Sequence, residues 1–223
     1  MAAVRLLCMG TIDELIKRTA DGRRVKYLHF WGHTPRKDGT IGASCLSQWW
    51  PSPFEVDGVR YATAEHWMMA AKARLFGDAE AERKALAAKS PAEAKKAGRL
   101  VRGFDDTVWE RERFQIVRSG SVHKFGQDAA LRDFLLATGD RVLVEASPMD
   151  RVWGIGLAAD DERAQDPALL ARTQPAGVRA DGGTRGNCGA VPADSRRDRE
   201  GIATAGGQRR RHIGGQPRNN GGF

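Results

Sequence analysis

The 223-residue sequence has few cysteines, few tyrosines and no long apolar run. Cys8, Cys45 and Cys188 stand apart, with no C-x-x-C pair among them. That argues against a disulfide scaffold or a zinc site and fits a reducing compartment, so a cytoplasmic location is expected. No stretch of about 18 apolar residues occurs, so no transmembrane helix and no membrane role are expected. The apolar part of Met1–Cys8 is too short for a secretory signal. No internal repeat is present. Gly154-Ile155-Gly156 lacks the third glycine and the following helix of a dinucleotide fingerprint. No His-x-x-x-His pair marks a metal site, and no metal is expected.

What is present is ordinary for a soluble globular protein: 41% apolar and 29% charged residues. The length fits one domain plus extra chain, or two small domains, with a core that needs no covalent staple. The net charge of +8 would fit a nucleic-acid binder, but its distribution speaks against that. Residues 169–223 hold ten Arg, no Lys, three Asp and one Glu, a net +6, leaving +2 for residues 1–168. The basic excess sits in a Gly- and Arg-rich tail that reads as disordered.

The body reads as mainly α with small β elements. Val25–Trp31 is a strand by alternation and residue type, and His33–Gly42 is a loop. Phe54–Tyr61 is a hairpin around Asp57-Gly58, a pair that tolerates positive φ. Thr63 caps a helix running through Leu75. Ser90-Pro91-Ala92-Glu93 opens a second helix to about Val101, with proline at its first position. Asp105 or Asp106 caps a third helix. Asp128 caps a fourth, with Leu131, Phe134 and Leu135 inward and Gly139 just past its end. Arg141–Ala146 is a short strand, and Val152–Gly156 is a turn.

Four segments carry candidate chemistry. Gln48, Trp49 and Trp50 precede a double-proline turn; the indoles either plug the core or form a stacking wall for a flat heterocycle. Glu65 falls in the first turn of a helix, where the dipole favours its anion. It is either a surface residue complementing that dipole or a site carboxylate, and His66 beside it is a core or a surface histidine. Lys72, Arg74, Lys95, Lys96, Arg99, Arg102 and Lys124 form a basic set, in which Arg99 and Arg102 share a helical face as a phosphate clamp. A solvated face explains Lys95 and Lys96 better. The last segment, Glu145–Gly156, brings Asp150, Trp153 and Gly154 into a loop after a strand. Spacing alone yields an α-rich domain with a two-carboxylate, aromatic-walled pocket.

Several ordered strings go further. They are Leu46–Phe54, Val56–Met68, Lys72-Ala73, Leu75–Asp78, Ser90-Pro91, Gly98-Arg99, Trp109, Lys124-Phe125, Leu135–Gly139 and Asp150–Gly154. Over roughly residues 26–168 the sequence resembles the NADAR family of YbiA-like N-glycosidases, which hydrolyse early intermediates of riboflavin biosynthesis. The resemblance implies a single domain over 25–169 after an N-terminal extension of residues 1–24. It implies cleavage of an N-glycosidic bond in a small phosphorylated ribosyl substrate without a cofactor. Glu65, Asp150 and Trp109 would be catalytic. Gln48, Trp49, Trp50, Lys72, Arg99, Arg102, Trp153 and Gly154 would bind substrate. Gln48 departs from the family, which often has Asn there; the amide is kept on a longer arm. Hydrolysis of ADP-ribosyl adducts, or nucleotide binding without catalysis, are the alternatives.

The family pattern ends in a form like Trp-x-Gly-x-Asn-x-Leu-Gly, absent here in the frame as written. Back-translated and shifted by one base, residues 170–185 can read Trp-Arg-Gly-Leu-Asn-Leu-Leu-Gly-Phe-Ala-Leu-Met-Glu-Val-Arg. The expectation is a frame change near Leu169–Leu170, with residues 170–223 a shifted, disordered tail and the last helix of the domain missing. In that case the tail's positive charge reflects frame rather than nucleic-acid binding.

Overall fold

The computed structural model describes residues 12–150 and 153–166. The expectations placed on residues 170–223 lie outside that range. Within it the architecture is mainly helical with small β elements, as expected. Helix α1 (Ile12–Ala20) precedes strand β1 (Tyr27–Phe30) and a 3-10 turn at Ala43–Leu46. The hairpin β2 (Phe54–Val56) and β3 (Val59–Tyr61) follows. Helices α2 (Ala64–Leu75), α3 (Ala79–Leu86), α4 (Pro91–Arg99), α5 (Asp106–Gln127) and α6 (Ala129–Ala137) come next. Strand β4 (Val142–Glu145) and a 3-10 turn at Glu162–Gln165 close the described chain. Among the described residues no helix is long and apolar enough to cross a membrane.

The local chemistry explains these boundaries. Asp57 (φ 50°) and Gly58 (φ 77°) both take positive φ, the backbone of the type I′ turn that a two-residue hairpin favours. Thr63, Ser90, Asp105 and Asp128 each cap a helix by accepting a backbone N–H three residues on. Glu93 does not close the reciprocal half of a capping box: its carboxylate accepts from Lys89 N at 2.8 Å. Asp128 both ends α5 and caps α6, so the two helices turn sharply on one residue. Helix α4 stops at Arg99, about two residues before the expected end.

Helix α2 is central. Ala64 to Ala71 and Ala73 are all buried, and α3, α4 and α5 pack around the helix. Trp67 anchors it: its indole N–H donates to Ile116 O at 2.9 Å, and its ring meets Tyr61 edge-on at 5.0 Å. Helix α5 can come this close only because residue 120 is glycine. A Cβ there would lie 2.4 Å from Trp67 Cδ1. A second apolar cluster gathers Cys45, Leu46, Trp50, Phe125, Leu131 and Leu135.

Two features were not legible. Strands β1 and β4 pair in parallel, with Phe30 opposite Glu145, across more than a hundred residues. Helix α3 is the other. Asp78 caps it, and it buries only Ala81 and Ala85, so it shows no large apolar periodicity. Helix α1 lies within the stretch expected to be a plain extension.

Candidate functional site

One cleft, with a cavity volume of about 160 Å³, collects side chains from five parts of the chain. Helix α2 contributes Glu65, Met68, Met69 and Lys72, the stripe that helical spacing puts on one face. Helix α4 adds Lys95, Gly98 and Arg99 by the same spacing, and α5 adds Trp109. The stretch after the first 3-10 turn brings Ser47, Gln48 and Trp49; the end of β4 and its loop bring Glu145, Asp150 and Trp153.

The Gln48–Trp49 wall is fixed from behind. Lys124, 1% exposed, donates from Nζ to Cys45 O at 2.6 Å and Ser47 O at 2.7 Å. The N–H of Glu65 donates to Gln48 O at 3.0 Å, which ties the same stretch to the start of α2. Lys124 therefore serves as an internal clamp and does not join the basic lining. Burial pushes its ammonium down to about 7. On the outer side Trp49 meets the His33 ring at 5.4 Å and the Lys95 ammonium at 5.8 Å.

Three carboxyls form the acidic part of the cleft. Glu65 is 2% exposed, and among the described residues its Oε1 has no hydrogen-bond partner. Burial lifts it from 4.5 to about 7. Lys95 and the Trp49 indole N–H oppose that rise, while Asp150 and Glu145 add to it. Burial also raises Glu145, with Asp150 reinforcing and Lys95 opposing. Asp150 Oδ1 accepts from Trp153 N at 2.9 Å, and Gly156 N donates to Asp150 O at 3.1 Å. Gly154 is absent from the lining but makes this loop possible. A Cβ there would lie 2.8 Å from Asp150 O and 3.1 Å from Glu145 O. The buried Gln48 Oε1 is likewise without a partner among the described residues.

The cationic part lies along α2 and α4. Lys72 Nζ sits 4.0 Å above the Phe104 ring and 5.2 Å from Trp109. Burial lowers its ammonium, and Asp106 opposes that. Behind Trp153, the Phe114 ring meets its indole edge-on at 5.6 Å and the Arg113 guanidinium lies 5.8 Å from it.

The cleft thus brings together Gln48, Trp49, Glu65, Lys72, Arg99, Trp109, Asp150 and Trp153. Besides Gly154, two expected binding residues lie outside this lining. Trp50 is 6% exposed in the second apolar cluster, the core-plug alternative. Arg102 is held by Asp78, which accepts from its backbone N (2.9 Å), Nε (3.1 Å) and Nη2 (2.8 Å), so the pair staples the chain after α4 to the cap of α3. The shared face of Arg99 and Arg102 ends with the helix at Arg99. His66 is a core residue, meeting Thr63 Oγ1 at 2.8 Å and Ala88 O at 3.2 Å. Arg74 pairs with Glu82 and Tyr61 outside the cleft.

Lys95, Glu145 and the two methionines were missed. The spacing of Lys95 to Arg99 on one helical face was the available signal for Lys95. Glu145 opens the candidate segment Glu145–Gly156, but the sequence reading takes only Asp150, Trp153 and Gly154 from it; the β1–β4 pairing that fixes Glu145 is long-range.

Carboxyls enclosed among indoles and lysines at the centre of a small helical domain make a polar small-molecule site. The chain belongs to the NADAR domain family, whose sequence model matches residues 29–171. It is 40% identical over 139 residues to an N-glycosidase of Acanthamoeba polyphaga mimivirus, covering 60% of this chain and 80% of that protein. It is 32% identical over 111 residues to a riboflavin biosynthesis protein of Vibrio vulnificus, covering 50% of this chain and 29% of that protein. It is also similar to N-glycosidase YbiA of Escherichia coli, at 36% identity over 104 residues, 47% of this chain and 63% of that one. The NMR structure of that protein aligns with a TM-score of 0.49 at 28% identity, over 68% of this chain and 85% of the other.

Proposed function

We propose that this chain is an N-glycosidase that hydrolyses the C–N bond of phosphorylated ribosyl-aminopyrimidine intermediates of riboflavin biosynthesis. The observation that carries the reading is Glu65: a buried carboxyl with an unpartnered oxygen, in a cleft that also holds indoles and lysines. Support also comes from relatives named N-glycosidase and riboflavin biosynthesis protein.

The chemistry follows from the residues. Breaking the ribosyl C1–N bond develops positive charge at C1. The Glu65 carboxylate stabilises that charge and accepts a proton from the attacking water. Water supplies both the hydroxyl that C1 gains and the proton that the leaving amine gains. One carboxyl changing protonation near 7 suffices to pass that proton on. Asp150, held by the Trp153 N–H, orients the sugar. Trp49 and Trp153 offer faces for the pyrimidine. Lys72 and Arg99 receive the 5-phosphate, whose binding energy positions the reacting bond. A cavity of about 160 Å³ is below the roughly 300–1,000 Å³ of sites that enclose a larger ligand. It accommodates the sugar ring, with base and phosphate reaching along its open mouth.

The test is release of ribose 5-phosphate from the aminopyrimidine substrate. Release that is lost in Glu65→Ala supports the reading. Hydrolysis of ADP-ribosyl conjugates in its place would reassign the substrate. Tight binding without cleavage, unchanged in Glu65→Gln, would make the domain a binding module.

The reading also includes the frame change near Leu169–Leu170. A frame-restored version is expected to be more stable and more active than the chain as written, because it regains an amphipathic segment and an Asn. Resequencing the DNA across codons 165–190 and melting both proteins test this. Equal melting and equal turnover would leave the shift without consequence.

A further inference from the structure

We infer that Glu145 is a specificity-determining residue, whose carboxyl accepts the vicinal hydroxyls of a ribose ring and so selects ribosyl over 2-deoxyribosyl ligands. The inference rests on the proposed reading only in taking a ribosyl phosphate as the ligand.

Glu145 is half-buried in the wall of the cleft. Among the described residues its carboxyl makes no hydrogen bond and no ion pair. A carboxyl partly shielded from water, with no protein partner, keeps its acceptor capacity open to a donor from a ligand in the cleft. Its neighbours narrow the choice of donor. Glu65, Asp150 and Lys95 act electrostatically on this region, so two of the three groups around it are carboxyls. A phosphate is repelled by such a group. The cations Lys72 and Arg99 lie on the helical side, and Lys72 answers to Asp106 instead of the acidic trio. What fits against the acidic side is a neutral donor pair. Two oxygens that act only as acceptors match the two hydroxyls of a cis-diol.

The backbone of Glu145 is rigidly placed. It is the last residue of β4, in register with Phe30, and Ile155 N donates to its carbonyl at 2.9 Å. The next residue continues the ladder, Ala146 N to Phe30 O at 2.9 Å. A carboxyl on a strand end, braced from both sides, discriminates by geometry more sharply than one on a free loop. Sites that hydrogen-bond a hydroxyl reject the analogue lacking it, because the polar group is left unpaired. Asp150 and Glu65 are given different work: Asp150 is tied to the Trp153 N–H, and the proposed reading assigns Glu65 to the reacting bond.

The experiment is isothermal titration of the full chain with ribose 5-phosphate and with 2-deoxyribose 5-phosphate, for wild type, Glu145→Gln and Glu145→Asp. Binding is read without catalysis, so failure of the glycosidase reading and failure of this inference are distinguishable. Wild type is expected to prefer the ribose form by about ten- to a hundredfold. Glu145→Gln is expected to keep less than a threefold preference while holding its affinity for the deoxy form. Glu145→Asp, one methylene shorter, covers the case in which the amide variant fails to fold, and is expected to lose the preference in the same way. A wild type that binds both sugars equally or neither, or variants that keep the full preference, would overturn the assignment.

Discussion

Glu65→Gln should stabilise the protein in alkaline solution while destroying its activity. Burial lifts the Glu65 carboxyl from 4.5 to about 7. Between those values the native state holds a proton that the unfolded chain has released, so stability falls as pH rises through that window. A displacement of about 2.5 in pH, at about 1.4 kcal/mol for each, amounts to about 3 kcal/mol by pH 8.5. Glutamine fills nearly the same volume and carries no charge to desolvate, so the variant escapes that loss. Wild type and variant should therefore melt alike near pH 4.5, diverge progressively between pH 4.5 and about 7, and stay apart by a constant amount above that. At pH 8.5 the variant should melt higher by roughly 6–12 °C, at roughly 2–4 °C per kcal/mol for a chain of this size. Circular-dichroism melts of both proteins at pH 4.5, 6, 7 and 8.5, at fixed ionic strength, measure this. A melting difference that stays constant across the series would show that Glu65 ionises as freely in the fold as in water. The reasoning about its burial would then be wrong.

Three further outcomes follow from the same geometry. Gly154→Ala places a Cβ 2.8 Å from Asp150 O; displacing that loop should lower kcat/KM by about tenfold or more, with a lower melting temperature as the structural control. Arg99→Ala should raise KM for a phosphorylated substrate by about tenfold, whereas Arg102→Ala should leave KM unchanged and lower only the melting temperature, because Arg102 is committed to Asp78. With the ammonium of Lys124 pushed down to about 7, the unfolded chain binds the extra proton above that pH. Wild-type stability should then gain up to about 1.4 kcal/mol per pH unit between 7 and 10 from this group, a slope that Lys124→Met removes in denaturant titrations.

Local chemistry was legible and tertiary placement was not. Asp57-Gly58, Thr63, Ser90 and Asp128 each satisfy backbone groups within a few residues, so sequence alone exposes them. Helix α3 escaped because alanine side chains fill its contacts, and alanine carries no periodic signal. In the cleft, Lys72 and Trp109 were recoverable from their helices, yet Trp49 and Trp50 could not be told apart by type or by spacing. The turn after Leu46 sends one indole into the cleft and the other into the core. Glu145 needed the long-range strand pairing. Lys124 read as one more cation of the basic set, because what makes it an internal clamp is the pair of carbonyls supplied by residues nearly eighty positions earlier.

Glu65 shows how two correct local arguments can point in opposite directions. In the first turn of α2 the helix dipole favours the anion, by about 0.3–1 kcal/mol at an exposed site. The amides that would express that preference are already taken. Glu65 N donates to Gln48 O, Trp67 N donates to Thr63 O, and His66 N donates to the Thr63 hydroxyl. The carboxyl is left with a partial field and none of the first-turn donors, against a desolvation penalty several times larger. Burial therefore wins, and the group is kept from ionising freely at neutral pH. One of these three hydrogen bonds, Glu65 N to Gln48 O, also fixes Gln48 beside the carboxyl. Capping the helix and withholding its donors from Glu65 are one structural act, and it leaves the carboxyl poised to exchange a proton with a ligand or water entering the cleft.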